Sequence, residues 1–131
     1  MKRLLSSLVV GLVLVAGAAI GSEKHIKANL EEINGSGVTG FVNITQLPKE
    51  GSNVHAVIHG LQPGETYTSF YYESADCSAP AEALETFTAD DEGNATASGK
   101  IDEDLDEVGS ISVRAGSGYG TLLACADIHG G

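Results

Sequence analysis

A chain of 131 residues with 18 acidic and seven basic side chains carries a formal charge of −11 at neutral pH, and 42% of its residues are hydrophobic. That length sets a single domain as the default. The excess of carboxylates repels nucleic acid and anionic lipid, so neither is an expected partner.

In chain order, the first element stands apart from the rest. Lys2 and Arg3 precede the apolar run Leu4 to Ile20, and small residues at Ala16, Ala18, Ala19 and Gly21 offer cleavage sites. Residues 1–21 therefore read as a secretory signal peptide and residues 22–131 as the exported domain, secreted or periplasmic, with no stable membrane insertion after cleavage. The apolar run is close to the minimum length of a membrane span, so a retained anchor is the alternative. Cleavage leaves five cations (Lys24, Lys27, Lys49, Lys100 and Arg114) against 18 carboxylates, a formal charge of −13.

Beyond the signal, glycines punctuate β-branched and aromatic runs, which predicts short strands joined by turns. The expected strands are 27–33, 38–46, 53–59, 66–72, 85–89, 95–101, 110–114 and 121–128. Val38, Gly40, Val42 and Ile44 share one face of the second strand, and Val54, Ala56 and Ile58 share one face of the third. No window repeats apolar residues at helical spacing, so no helix is expected. Eight strands suit an all-β fold, a closed Greek-key barrel or a two-sheet sandwich. Asn34 to Gly37 and Asp91 to Asn94 supply turns with glycine where φ must be positive, and Gln62 to Glu65 puts proline where a type II turn wants φ of about −65°. The acidic run Ile101 to Glu107 is the expected long crossover.

Several residue groups invite chemistry. Cys77 and Cys125 are the two cysteines. An even count in an exported chain reads as a disulfide, worth about 4 kcal/mol in the chain-entropy model. A dithiol metal or redox pair is the alternative. His55 and His59 share a strand face, but at about 3.3 Å per residue they stand too far apart to share one ion. If the first and last strands meet, His25 and His129, helped by Asp127, have the geometry for a weak two-histidine site. Both lie in fraying ends, so adventitious or no binding is the expectation. Two acidic groups offer oxygen ligands, Asp90, Asp91, Glu92 and Asn94 in one and Asp102, Glu103, Asp104, Asp106 and Glu107 in the other. Neither has EF-hand spacing, and solvated turns account for both. Tyr67, Phe70, Tyr71 and Tyr72 make an aromatic strand, with Phe70 and Tyr71 on opposite faces. It either packs into the core or leaves a small aromatic binding surface. Asn43 and Asn94 each sit in an N-x-T acceptor triplet. No nucleophile triad signature, P-loop or dinucleotide fingerprint occurs.

GLQPGETYTSFYYESADCS (residues 60–78) and LLACADI (residues 122–128) resemble the frame of the copper/zinc superoxide dismutase family. In that family a Gly-Leu turn leads into a strand ending in His-x-His-Glu, then Gly-Asp-Cys, and a later Leu-Ala-Cys supplies the second cysteine. NLEEINGSGVTGFVNITQL (residues 29–47) is similar to the family's first hairpin, LETFTADDEGNATASGKI (residues 84–101) to its Leu-Gly-Asn hairpin, and ISVRAG (residues 111–116) to its Val-Val-His strand. The likeness runs over residues 28 to 128, with five motifs in the family's order.

The resemblance implies an eight-stranded Greek-key β-barrel and a Cys77–Cys125 disulfide. Phe70 and Tyr72 flank Tyr71 where two copper-binding histidines belong, Arg114 takes the third ligand's position, and Leu122 stands for the arginine that guides the anionic substrate. Only Ser78 to Ala83 remain where the zinc loop belongs. Copper sites use imidazole nitrogen or soft sulfur, which this set lacks. The expectation is a non-catalytic binding or structural module with no catalytic residue and no metal cofactor, acting on a protein or small-molecule partner. The alternative is a superoxide dismutase with a remodelled site holding copper and zinc. Arg114, a cation in a position that faces the metal, is expected to pair with Glu73 or Asp76.

Overall fold

The computed structural model describes residues 24–130, so the candidate signal peptide lies outside the described residues. Eight strands follow in order: β1 (His25–Glu32), β2 (Thr39–Gln46), β3 (Ser52–His59), β4 (Thr66–Tyr72), β5 (Ala81–Thr88), β6 (Ala95–Ile101), β7 (Ser110–Ala115) and β8 (Leu122–Asp127). They pair antiparallel in the order β5-β4-β7-β8-β1-β2-β3-β6. β1 joins the two halves, pairing residues 25–30 with β2 and residues 31–32 with β8. The two end strands, β5 and β6, lie against each other and nearly close a barrel. Across that seam the Ser98 amide donates to Glu85 Oε1 at 2.7 Å.

The inner core follows the two-residue period of the strands. Val42, Ile44, Ala56, Ile58, Ile111 and Ala124 are fully buried, while His55 and His59 on the opposite face of β3 are exposed. Two turns adopt the positive φ foretold for their glycines, 73° and 79° at Gly35 and Gly37 and 80° at Gly93, and Gly64 in the proline turn has φ 81°.

Two expectations need correction. β5 begins at Ala81, four residues before the predicted start, because a bulge opposite Ser69 and Phe70 lets Ala81–Ala83 pair with Phe70–Tyr72. Alanine and glutamate are weak strand formers, and the partner strand overrides that preference. The segment 78–83 is therefore half strand, not loop. The acidic crossover also holds a one-turn 3-10 helix, Leu105–Glu107, where no helix was expected. Buried Leu105 anchors it, its amide donates to Gln46 Oε1 at 2.7 Å, and the Asp104 carboxylate accepts from the Gly51 amide at 2.8 Å. Among the described residues no helix is long and apolar enough to cross a membrane.

Candidate functional site

Most strands bury one face, but β4 and β7 bury both. Tyr67, Tyr71, Ile111 and Val113 pack with the barrel core. The outward residues alternate with them. Phe70 and Tyr72 on β4 are 8% and 2% exposed, and Ser110 and Ser112 beside them on β7 are fully buried. Phe70, Tyr72 and Cys77 form a second apolar cluster, against which Ala81, Leu122 and Cys125 pack. Phe70 and Tyr71 thus face opposite ways, as the alternation predicts.

Two loops cover this outer layer. Residues 73–80 are tied down by the Cys77–Cys125 disulfide. Ser110 reinforces the tie, since its hydroxyl donates to Ser74 O at 2.7 Å and accepts from the Cys77 amide at 2.9 Å. Gly109 permits the approach, because a Cβ there would lie 2.2 Å from Glu73 O. Residues 116–121 form the other cover. Thr68 Oγ1 donates to Gly116 O at 2.8 Å, and the Ala115 amide donates to Thr121 O at 2.9 Å.

Arg114 lies between the two covers and bonds to both. Its Nε donates to the Tyr72 hydroxyl at 3.0 Å and Nη1 to Gly120 O at 2.8 Å. Nη2 donates to Cys77 O at 3.1 Å and to the Tyr119 hydroxyl at 3.0 Å. The guanidinium carbon also sits 3.7 Å from the centre of the Tyr119 ring, and that ring meets Phe70 edge-on at 5.0 Å. Tyr72 completes the cluster with a 2.7 Å hydrogen bond to Ser112. Burial, followed by the neighbouring Tyr72 hydroxyl, pushes the Tyr119 phenol up, and Arg114 pulls it the other way.

All four positions singled out by the resemblance (Phe70, Tyr72, Arg114 and Leu122) therefore converge on one face, and Leu122 pairs directly with Arg114. The expected ion pair does not form. Each of Arg114's hydrogen bonds ends on a neutral oxygen, while Asp76 accepts from the Ser78 hydroxyl, which lowers its carboxyl below the usual range. The cause lies in the loop backbone, which turns at Cys77 (φ 60°) and presents a carbonyl to the guanidinium where a carboxylate was expected.

This donor set does not fit copper. A phenyl ring, an aliphatic side chain and a guanidinium offer it nothing, and the one phenol oxygen, on Tyr72, already accepts from Arg114. Tyr119, Ser112 and Thr68 belong to the cluster but were not singled out from sequence. The alternation of Ser110, Ser112 and Arg114 with Ile111 and Val113 was the available signal, although it reads as solvent-facing.

The other candidates lie apart. His25 bonds to Thr45 at 3.0 Å and Asn43 at 3.2 Å, whereas His129 meets Leu105 O at 3.1 Å, so the two terminal histidines have separate partners. His59 meets Asn94 at 2.9 Å. Both acceptor asparagines thus carry a histidine contact. Asp90 closes its own turn by accepting from the amides of Glu92 and Asn94, each at 2.9 Å. Burial and then Glu82 push the Tyr71 phenol up, and burial and then the Glu107 carboxyl push Glu103 up. Among the described residues, no three His, Cys, Asp or Glu side chains are grouped to hold a metal ion. No protein-family model matches the chain, and no curated protein matches it.

Proposed function

We propose that the chain is an exported, non-catalytic domain of the superoxide dismutase-like fold that serves as a binding or structural module. Five family-like motifs in order and the eight-stranded antiparallel barrel support the fold assignment. The Cys77–Cys125 disulfide supports an oxidising compartment, since such bonds persist outside the reducing cytosol.

The observation that carries the functional reading is the Arg114 cluster. A guanidinium bonded to Tyr72, Cys77 O, Gly120 O and Tyr119 spans β4 and both covering loops, the task a metal ion would perform as a crosslink. It also places a fixed positive charge where a cation would have to bind. The test is metal content and superoxide dismutation of the purified, tag-free protein after equilibration with copper and zinc. The reading expects well under one equivalent of either metal and no turnover above that of free ions. A tightly held equivalent of copper with catalytic turnover would overturn it in favour of a remodelled superoxide dismutase.

A further inference from the structure

We propose that Tyr119 is a displaceable lid over a small binding site for an aromatic carboxylate, with Phe70 as the floor and Arg114 as the anion's partner. This deepens the reading of the domain as a binding module and rests on it.

Tyr119 is the exposed large hydrophobic residue of the described chain, at 48%. Its ring lies against the Arg114 guanidinium at 3.7 Å and the Phe70 edge at 5.0 Å, and its hydroxyl accepts from Arg114 Nη2 near the Tyr72 hydroxyl. The loop is pinned at its base but not at its tip. The Gly116 amide donates to Thr66 O at 3.0 Å, and a Cβ at Gly120 would lie 2.1 Å from Ala115 O. By contrast, Gly116 and Gly118 have open space on their Cβ side, and residues 116–119 are all exposed. Such a tip can swing away without breaking the strand pairing beneath it.

The contacts that the lid makes define what could replace it. The site accepts a planar ring stacked on a guanidinium, packed edge-on against Phe70, with an oxygen acceptor at Nη2. Tyr119 satisfies that shape but leaves the charge uncompensated. Among the described residues Arg114 has no carboxylate partner, although the exported chain carries 18 acids against five cations. An aromatic carboxylate keeps the stacking and adds a negative charge, and a carboxylate can accept two parallel N–H bonds from a guanidinium where the Tyr119 hydroxyl accepts one. The lid acts as an intramolecular competitor, so the apparent affinity falls by the fraction of time that the site is open.

The test is a nitrogen-15 NMR titration of the disulfide-bonded protein with 4-hydroxyphenylacetate, and with 4-hydroxyphenylacetamide as the neutral counterpart. The same spectra report whether each variant is folded. Tyr119→Gly should bind the carboxylate about tenfold more tightly than the parent, as expected for removing a lid that is open about a tenth of the time. Shifts should centre on residues 70, 112–115 and 120–122, and the amide should bind at least about tenfold more weakly. Arg114→Gln in the Tyr119→Gly background should abolish the preference for the carboxylate. Should that pair fail to fold, Arg114→Lys, which keeps the charge but loses the planar fork, should weaken binding while retaining the preference. Unchanged affinity in Tyr119→Gly, equal binding of acid and amide, or shifts elsewhere on the barrel would each overturn the proposal. None of these readouts concerns metal or turnover, so their failure leaves the non-catalytic reading in place.

Discussion

The two faces of the β4–β7 pair bury their side chains by different means. On the inner face Ile111 and Val113 pack with Tyr67 and the aliphatic residues of six other strands, so burial follows from the closure of the barrel. On the outer face Phe70, Tyr72 and Ser112 are buried as well, at 8%, 2% and 0% exposure, yet among the described residues no strand covers them. Two loops do, held by one disulfide, one arginine and a few hydroxyls. An apolar interior tolerates any arrangement that fills it, whereas the outer layer depends on particular bonds. A few specific side chains can thus extend a small barrel's buried area beyond its core.

The contrast can be broken by comparing a core deletion with a clamp deletion. Ile111→Ala should cost about 2–5 kcal/mol in chemical denaturation, from lost transfer energy and the cavity left behind. Replacing Cys77 and Cys125 by serine should cost a similar 2–5 kcal/mol, although both lie outside the barrel core. Near-complete retention of stability without the disulfide would mean that the outer layer is not a second source of order. Free-thiol titration of the denatured, unreduced protein should find almost none, and two reactive thiols would contradict the pairing.

Arg114→Ala comes next. A buried ion pair would have made its loss cost about 3–5 kcal/mol by stranding a carboxylate. With neutral partners the expected cost is about 1–3 kcal/mol, set by the carbonyls of Cys77 and Gly120 and the Tyr72 hydroxyl left underbonded. Glu73→Gln should leave that cost unchanged. A large shared effect would restore the ion pair.

The smallest effect concerns the acidic crossover. Burial, followed by Glu107, Glu73 and Asp104, raises the Glu103 carboxyl above its ordinary range. The native state then binds this proton more tightly than the unfolded chain, so the group's contribution to stability falls as pH rises through that range. Glu103→Gln should therefore stabilise the protein at pH 7, by under about 0.5 kcal/mol at so exposed a site. The gain should fade as pH drops through the carboxylate range. A gain that grows on acidification would contradict the shift.

How far the sequence foretold each region follows from the same contrast. Strands β4 and β6 begin and end where their β-rich runs do, and the glycine turns adopt the positive φ that their residues require. Local pattern suffices there because each residue's environment is set by alternation. β5 was displaced because Ala81 to Ala83 acquire strand structure only from the register of β4. The outer layer was half legible. Phe70, Tyr72, Arg114 and Leu122 were singled out and do converge, but Tyr119 lies in a glycine-rich loop with no periodicity to place it. Ser110, Ser112 and Arg114 alternate like a wet face, and only long-range loop contacts dry it. Arg114's partners escaped notice for a related reason, since a backbone carbonyl at Cys77 leaves no trace in residue type.

Arg114 and Tyr72 form a bonded unit at the centre of the outer layer. A double-mutant cycle on Tyr72→Phe and Arg114→Met, read by denaturant unfolding, tests it most directly. A hydrogen bond from a charged donor predicts a coupling of about 1 kcal/mol or more between the two substitutions. Additivity within about 0.3 kcal/mol would mean that the guanidinium and the phenol are energetically independent, and would contradict the account.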